Sequence, residues 1–147
     1  MTMKSKIHSL YRYETKGALP VKENALTFCE GTGIQGDYHG DGGDCQVALL
    51  TMTEKRWMEN CQVKGFCFHK YKENILLDGG SLSDCLPGDL IYAGSVILRI
   101  TESRKRCHPE LCALSAAKER CILSGLYSFA AVEQSGVICV GMEMEKI

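Results

Sequence analysis

The chain has 147 residues, a formal net charge of -1, and 45% hydrophobic against 24% charged residues. That is the size and balance of one globular domain, 1–147, able to bury a core without staples. It excludes the basic field that nucleic-acid binding relies on, and no stretch approaches the ~20 apolar residues of a membrane span.

Nine cysteines, at positions 29, 45, 61, 67, 85, 107, 112, 121 and 139, are many for this length. Their odd number, and an N-terminus with no apolar run behind its lysines, argue against a disulfide framework. The expectation is a cytoplasmic chain with reduced thiols, most of them small buried apolar groups.

In chain order, residues 6–13 alternate polar and apolar, as a half-buried strand does. Residues 21–28 form a weaker strand signal. Residues 30–44 hold six glycines and three aspartates, so they read as a loop with demanding backbone geometry. Residues 46–50 are a short, nearly continuous apolar strand. Thr51-Met52-Thr53-Glu54 then has the form of a capping box, opening a helix with Trp57, Met58 and Cys61 on one face. Residues 74–77 and 90–92 read as strands, separated by Gly79-Gly80 and Pro87-Gly88-Asp89. Residues 96–101 carry the strongest strand signal, rich in β-branched side chains. A helix is expected from Pro109 through residue 118, proline being favoured at the first helical position. Residues 126–132 and 137–144 look like a closing hairpin around Gln134-Ser135-Gly136. Many short strands, glycine-rich turns and two or three short helices predict a mainly β fold with a closed or nearly closed, barrel-like sheet.

Arg104-Lys105-Arg106-Cys107-His108-Pro109 is the stretch with most chemical promise. It sets one cysteine behind three cations, beside a histidine, at the expected start of a helix. Positive charge and a helix N-terminus both favour the thiolate, which is the nucleophile and metal ligand. A buried loop cysteine is the plain alternative. Cys107, Cys112 and Cys121 with His108 can also be read as a zinc site that stabilises the domain, although their spacing lacks a tight C-x-x-C pair. Cys112 can equally be a core residue, or a resolving thiol for an oxidised Cys107.

The order of motifs resembles the MOSC domain, named for the C-terminal domain of molybdenum cofactor sulfurase. Four blocks carry the likeness: Gly33-Ile34-Gln35-Gly36-Asp37-Tyr38-His39-Gly40 with Gln46-Val47-Ala48-Leu49-Leu50; Glu73-Asn74-Ile75 with the glycines after it; Leu86-Pro87-Gly88-Asp89-Leu90-Ile91-Tyr92-Ala93-Gly94; and Cys107-His108 with Cys112 and Cys121. The resemblance implies a β-barrel of the MOSC/pyruvate-kinase type with one reactive cysteine. That residue, Cys107 by position, would carry sulfur as a persulfide or ligate molybdenum of a bound molybdopterin cofactor. Two positions where many MOSC domains carry cations differ here: Cys45 precedes the Gln46-Val47 strand, and Ser124-Gly125-Leu126-Tyr127-Ser128-Phe129 contains no arginine.

On this reading Cys107, His108 and His39 are the catalytic candidates, with the histidines shuttling a proton. Gly36, Asp37, Asn74, Arg104 and Arg106 are the candidates for holding the cofactor, and Cys107 for holding its metal. Structural alternatives stand beside these: Asp37 bonding backbone amides, Asn74 bracing a loop. The functional alternatives to a sulfur carrier are a non-catalytic module that binds molybdopterin or docks on a partner, and the zinc-stabilised domain. No pyridoxal-phosphate lysine motif and no flavin, haem or iron–sulfur signature is visible. A sulfur donor of the cysteine-desulfurase kind, or a molybdoenzyme or electron-supplying partner, is therefore implied for any sulfurtransferase or molybdenum-dependent activity.

Overall fold

The computed structural model describes residues 4–68, 71–103, 107–118, 120–123 and 125–147. Eleven strands follow in chain order: β1 (Lys4–Arg12), β2 (Val21–Glu23), β3 (Ala25–Cys29), β4 (Gly33–Ile34), β5 (Val47–Thr51), β6 (Ile75–Asp78), β7 (Leu90–Ala93), β8 (Val96–Ile100), β9 (Phe129–Gln134), β10 (Gly136–Cys139) and β11 (Glu143–Lys146). Two short α-helices, α1 (Met52–Asn60) and α2 (Ala113–Ala116), accompany them. The main sheet runs β11-β7-β8-β9-β5-β6-β1-β2, and an added β1–β11 pairing closes its first seven strands into a barrel. The mainly β, barrel-like fold expected from the strand pattern is thus the one adopted. None of the described helices is long and apolar enough to cross a membrane.

The barrel follows from side-chain alternation. In β8, Val96, Leu98 and Ile100 are fully buried while Ile97 and Arg99 are only partly covered. In β1, Ser5 and Ile7 point inward, and then both Ser9 and Leu10 are buried. The register against β6 slips between Ile7 and Ser9, and such a bulge resets which face a side chain takes. β5 is buried along its whole length. It pairs in parallel with β6, and a parallel pair needs a crossover. That crossover contains α1.

Three sequence expectations change in the folded chain. Residues 21–28 are two strands rather than one: β2 joins the barrel beside β1, while β3 joins a separate three-stranded sheet, β10-β3-β4. Residues 126–144 are not a simple hairpin, because β9 pairs with β5 and β8 whereas β10 pairs with β3. In both places two adjacent segments are divided between sheets, which local patterning cannot reveal. The helix expected at 109–118 is broken. A three-residue 3-10 turn, Pro109–Leu111, is separated from the four-residue α2 by Cys112 in an extended conformation.

The capping box is also altered. Thr51 is the N-cap of α1 but makes no side-chain cap bond. Its hydroxyl donates instead to the Glu54 carboxylate. Glu54, fully buried, further accepts from Leu82 N–H at 2.6 Å and Ser81 Oγ at 3.2 Å. Burial pushes the Glu54 carboxyl above its usual range.

Candidate functional site

The loop 30–44 is held to the barrel by a set of buried polar bonds. Gln46 Oε1 accepts from Val132 N–H at 3.0 Å, and Gln46 Nε2 donates to Gly43 O at 2.8 Å. Within the loop, a Cβ on Gly40 would lie 2.8 Å from the Ile34 carbonyl oxygen, so only glycine fits this turn. Gly36, at φ +84, faces the Arg12 side chain.

Asp37 is the hub of this region. Its Oδ1 accepts from Tyr13 N–H at 2.8 Å and from Asn74 Nδ2 at 3.1 Å. Its Oδ2 accepts from His39 N–H at 3.1 Å and lies 3.4 Å from His39 Nδ1. Burial raises the Asp37 carboxyl, but the bonds from His39 and Tyr13 outweigh it, leaving the group below its usual range. Asn74, 1% exposed, is saturated as well: Nδ2 also donates to Tyr11 O at 3.1 Å, and Oδ1 accepts from Ala48 N–H at 2.9 Å. Asp37, Asn74 and His39 therefore form one closed cluster that joins the glycine-rich loop to β1 and β5.

Cys107 lies elsewhere. It is exposed and borders a cavity of about 220 Å³ whose wall also holds Cys67, Cys112, Cys121 and His108. Two chain segments build most of this wall, with Leu114, Ser115 and Cys121 completing it. One is the 3-10 turn after His108, closed by Leu111 N–H to His108 O at 3.0 Å and Cys112 N–H to Pro109 O at 3.3 Å. The other is residues 65–68. Phe66 N–H donates to Cys112 Sγ at 3.5 Å, and the Phe66 ring meets the His108 ring edge-on at 5.7 Å. Gly65 leaves room for the Phe68 ring to lie against the backbone, since a Cβ there would be 2.5 Å from that ring.

The electrostatics differ among the thiols. The Phe66 N–H bond, with help from Ser115 and Leu114 N–H, holds the Cys112 thiol below its ordinary range. Burial pushes the Cys67 thiol up. For Cys107 the sequence offered two sources of positive charge. The three-residue turn that follows it is too short to supply a helix macrodipole. Arg104, Lys105 and Arg106 lie outside the described residues. Arg120, adjacent to Cys121, lines the neighbouring hollow with Cys121, Glu54 and Ser81.

The sequence-derived candidates thus separate into two groups. Cys107 and His108 share the thiol-lined cavity, while Gly36, Asp37, His39 and Asn74 do not line it. Cys67, which no local signal distinguished from a core cysteine, joins the first group. Among the described residues, no three His, Cys, Asp or Glu side chains form a group able to hold a metal ion, so the zinc reading of Cys107, Cys112, Cys121 and His108 has no geometric support there.

Molybdopterin requires room for a pterin and a cation for its phosphate. The described cavity wall has neither lysine nor arginine, and about 220 Å³ is below the ~300–1,000 Å³ of ordinary small-molecule sites. Asn74 has no amide hydrogen left to offer. Arg104 and Arg106, the cations expected to hold the phosphate, lie outside the described residues.

No protein-family model matches the chain, and no curated protein matches it in sequence. Solved structures do resemble it. YuaD from Bacillus subtilis aligns over 99% of this chain and 97% of its own at 20% identity, with a TM-score of 0.70. YiiM from Geobacillus stearothermophilus aligns over 97% and 75% at 19% identity, TM-score 0.60. YiiM from Escherichia coli aligns over 100% and 70% at 15% identity, TM-score 0.58. YiiM is a MOSC-domain protein, and the fold of this chain is MOSC-like.

Proposed function

We propose that this MOSC-like domain is a sulfur carrier in which Cys107 accepts a sulfane sulfur from a donor persulfide and passes it on. The observation that carries the reading is the position of Cys107: exposed, beside His108, at the edge of a cavity lined by three further thiols. An exposed thiol meets a donor directly, and a thiol-rich wall is compatible with a polarisable sulfur chain.

In the transfer, Cys107 thiolate attacks the terminal sulfur of a donor R–S–SH. The donor S–S bond breaks, R–S⁻ leaves with the electron pair, and Cys107–S–SH forms with no net change in oxidation state. His108 takes the Cys107 proton and returns one to the departing thiolate. His39, bonded to Asp37, acts as a positioning residue of the loop and not in this step. The donor is a partner of the cysteine-desulfurase kind, since the chain lacks a pyridoxal-phosphate lysine motif. The MOSC-like fold makes a partner's molybdenum centre the first acceptor to test.

Brief exposure of the purified chain to an inorganic polysulfide, followed by intact-mass analysis, tests the reading. One added sulfur mapping to Cys107, and absent from Cys107→Ser, is the expected result. Uptake that is undiminished in Cys107→Ser, or spread evenly over the other cysteines, refutes it.

A further inference from the structure

We infer that Cys112 is a resolving thiol that unloads Cys107 as free sulfide, giving the domain a dithiol-dependent persulfide-reducing activity. The inference rests on the reading of Cys107 as the loaded thiol. Cys107 and Cys112 flank the 3-10 turn Pro109–Leu111 and line the same cavity. Cys112 Sγ accepts a backbone N–H from across the cavity wall, from Phe66 at 3.5 Å. Such a bond favours the thiolate and fixes the sulfur's direction. Its extended backbone between the turn and α2 places it on the wall rather than on a continuous helix.

The step balances as a thiol–disulfide exchange. Cys112 thiolate attacks Cys107 Sγ, the bond from Sγ to the outer sulfur breaks, and hydrosulfide leaves with the electron pair. A Cys107–Cys112 disulfide forms. The sulfane sulfur is reduced to sulfide while two thiols are oxidised. Turnover requires an external dithiol reductant of the thioredoxin class, which reopens the disulfide. Cys67 and Cys121 line the cavity from other segments and complete its reducing, thiol-rich surface.

The test follows the fate of the added sulfur. Wild-type chain and Cys112→Ser are loaded with inorganic polysulfide, freed of excess donor, and sampled over time by intact mass, disulfide mapping and sulfide assay. The wild type is expected to lose its added sulfur, release one sulfide per chain and acquire a Cys107–Cys112 disulfide, while Cys112→Ser holds the sulfur about tenfold longer or more. Equal lifetimes in the two proteins overturn the inference and leave the carrier reading intact. A disulfide from Cys107 to Cys67 or Cys121 overturns the assignment to Cys112, in the wild type and without recourse to any variant. Failure of both proteins to take up sulfur removes the carrier reading itself.

Discussion

The Asp37 cluster and the Cys107 cavity are built from opposite principles. Around Asp37, both carboxylate oxygens and the whole Asn74 amide are matched to partners on β1, β5 and the glycine-rich loop. Around Cys107, a few hydrogen bonds shape a wall of thiols and aromatic rings that stays open to solvent. A saturated polar network in a low-dielectric setting rigidifies a fold. An open thiol surface leaves nucleophiles available. Chemically rich residue types therefore do not mark a reactive site unless their bonding capacity is still unfilled.

That contrast can be broken by experiment. Cys107→Ser has the largest expected effect on function, complete loss of sulfur uptake, with stability within about 0.5 kcal/mol because the side chain is exposed. Equal chemical denaturation curves alongside abolished uptake are the signature. Asn74→Ala has the largest expected effect on stability, about 2–4 kcal/mol, since it strands the buried Ala48 N–H and takes a donor from the Tyr11 carbonyl and from Asp37 Oδ1, which keeps only Tyr13 N–H. Its urea midpoint should fall while Cys107 still loads sulfur; loss of loading in a folded Asn74→Ala would join the two regions functionally.

Gly65→Ala is expected to cost about 1–3 kcal/mol, because the added methyl would overlap the Phe68 ring. It should also change the alkylation rate of Cys112, whose sulfur is bonded to the adjoining Phe66. An unaltered rate would show that residues 65–68 do not shape the cavity.

The smallest effect is the pH dependence of the Asp37 cluster. The folded Asp37 carboxyl lies below its reference value of 3.8. Its contribution is therefore in place above that value and lost as pH falls through the lower folded one. Urea midpoints measured from about pH 5 down to pH 2 should drop more steeply for wild type than for Asp37→Asn. Parallel curves would show that the carboxylate is not held by these bonds.

Some of this was legible in the residues themselves. The alternation in β8 identified a strand whose two faces meet different media, and the apolar run of β5 one buried on both faces. Pro109 marked a helical start, though only a 3-10 turn follows. The motif order that pointed to a MOSC-like fold spans residues distant in the chain, and the similarity to YuaD and YiiM agrees with it. Cys107 stood out in the sequence by its neighbours, but its exposure and its place at a cavity were not readable there.

From the sequence alone came the mainly β composition, the glycine-rich loop, the start of α1 and the singling out of Cys107, all of which are encoded in spacing over a few residues. Tertiary structure alone decided that β2 and β3, like β9 and β10, go to different sheets. It alone brought Cys67 to the wall shared by Cys107, Cys112 and Cys121, and tied Asp37 and Asn74 into the barrel's support. The physical reason is one of range: burial patterns are set by each residue and its near neighbours, whereas strand pairing and cavity walls arise from contacts between segments that only the closed barrel brings together.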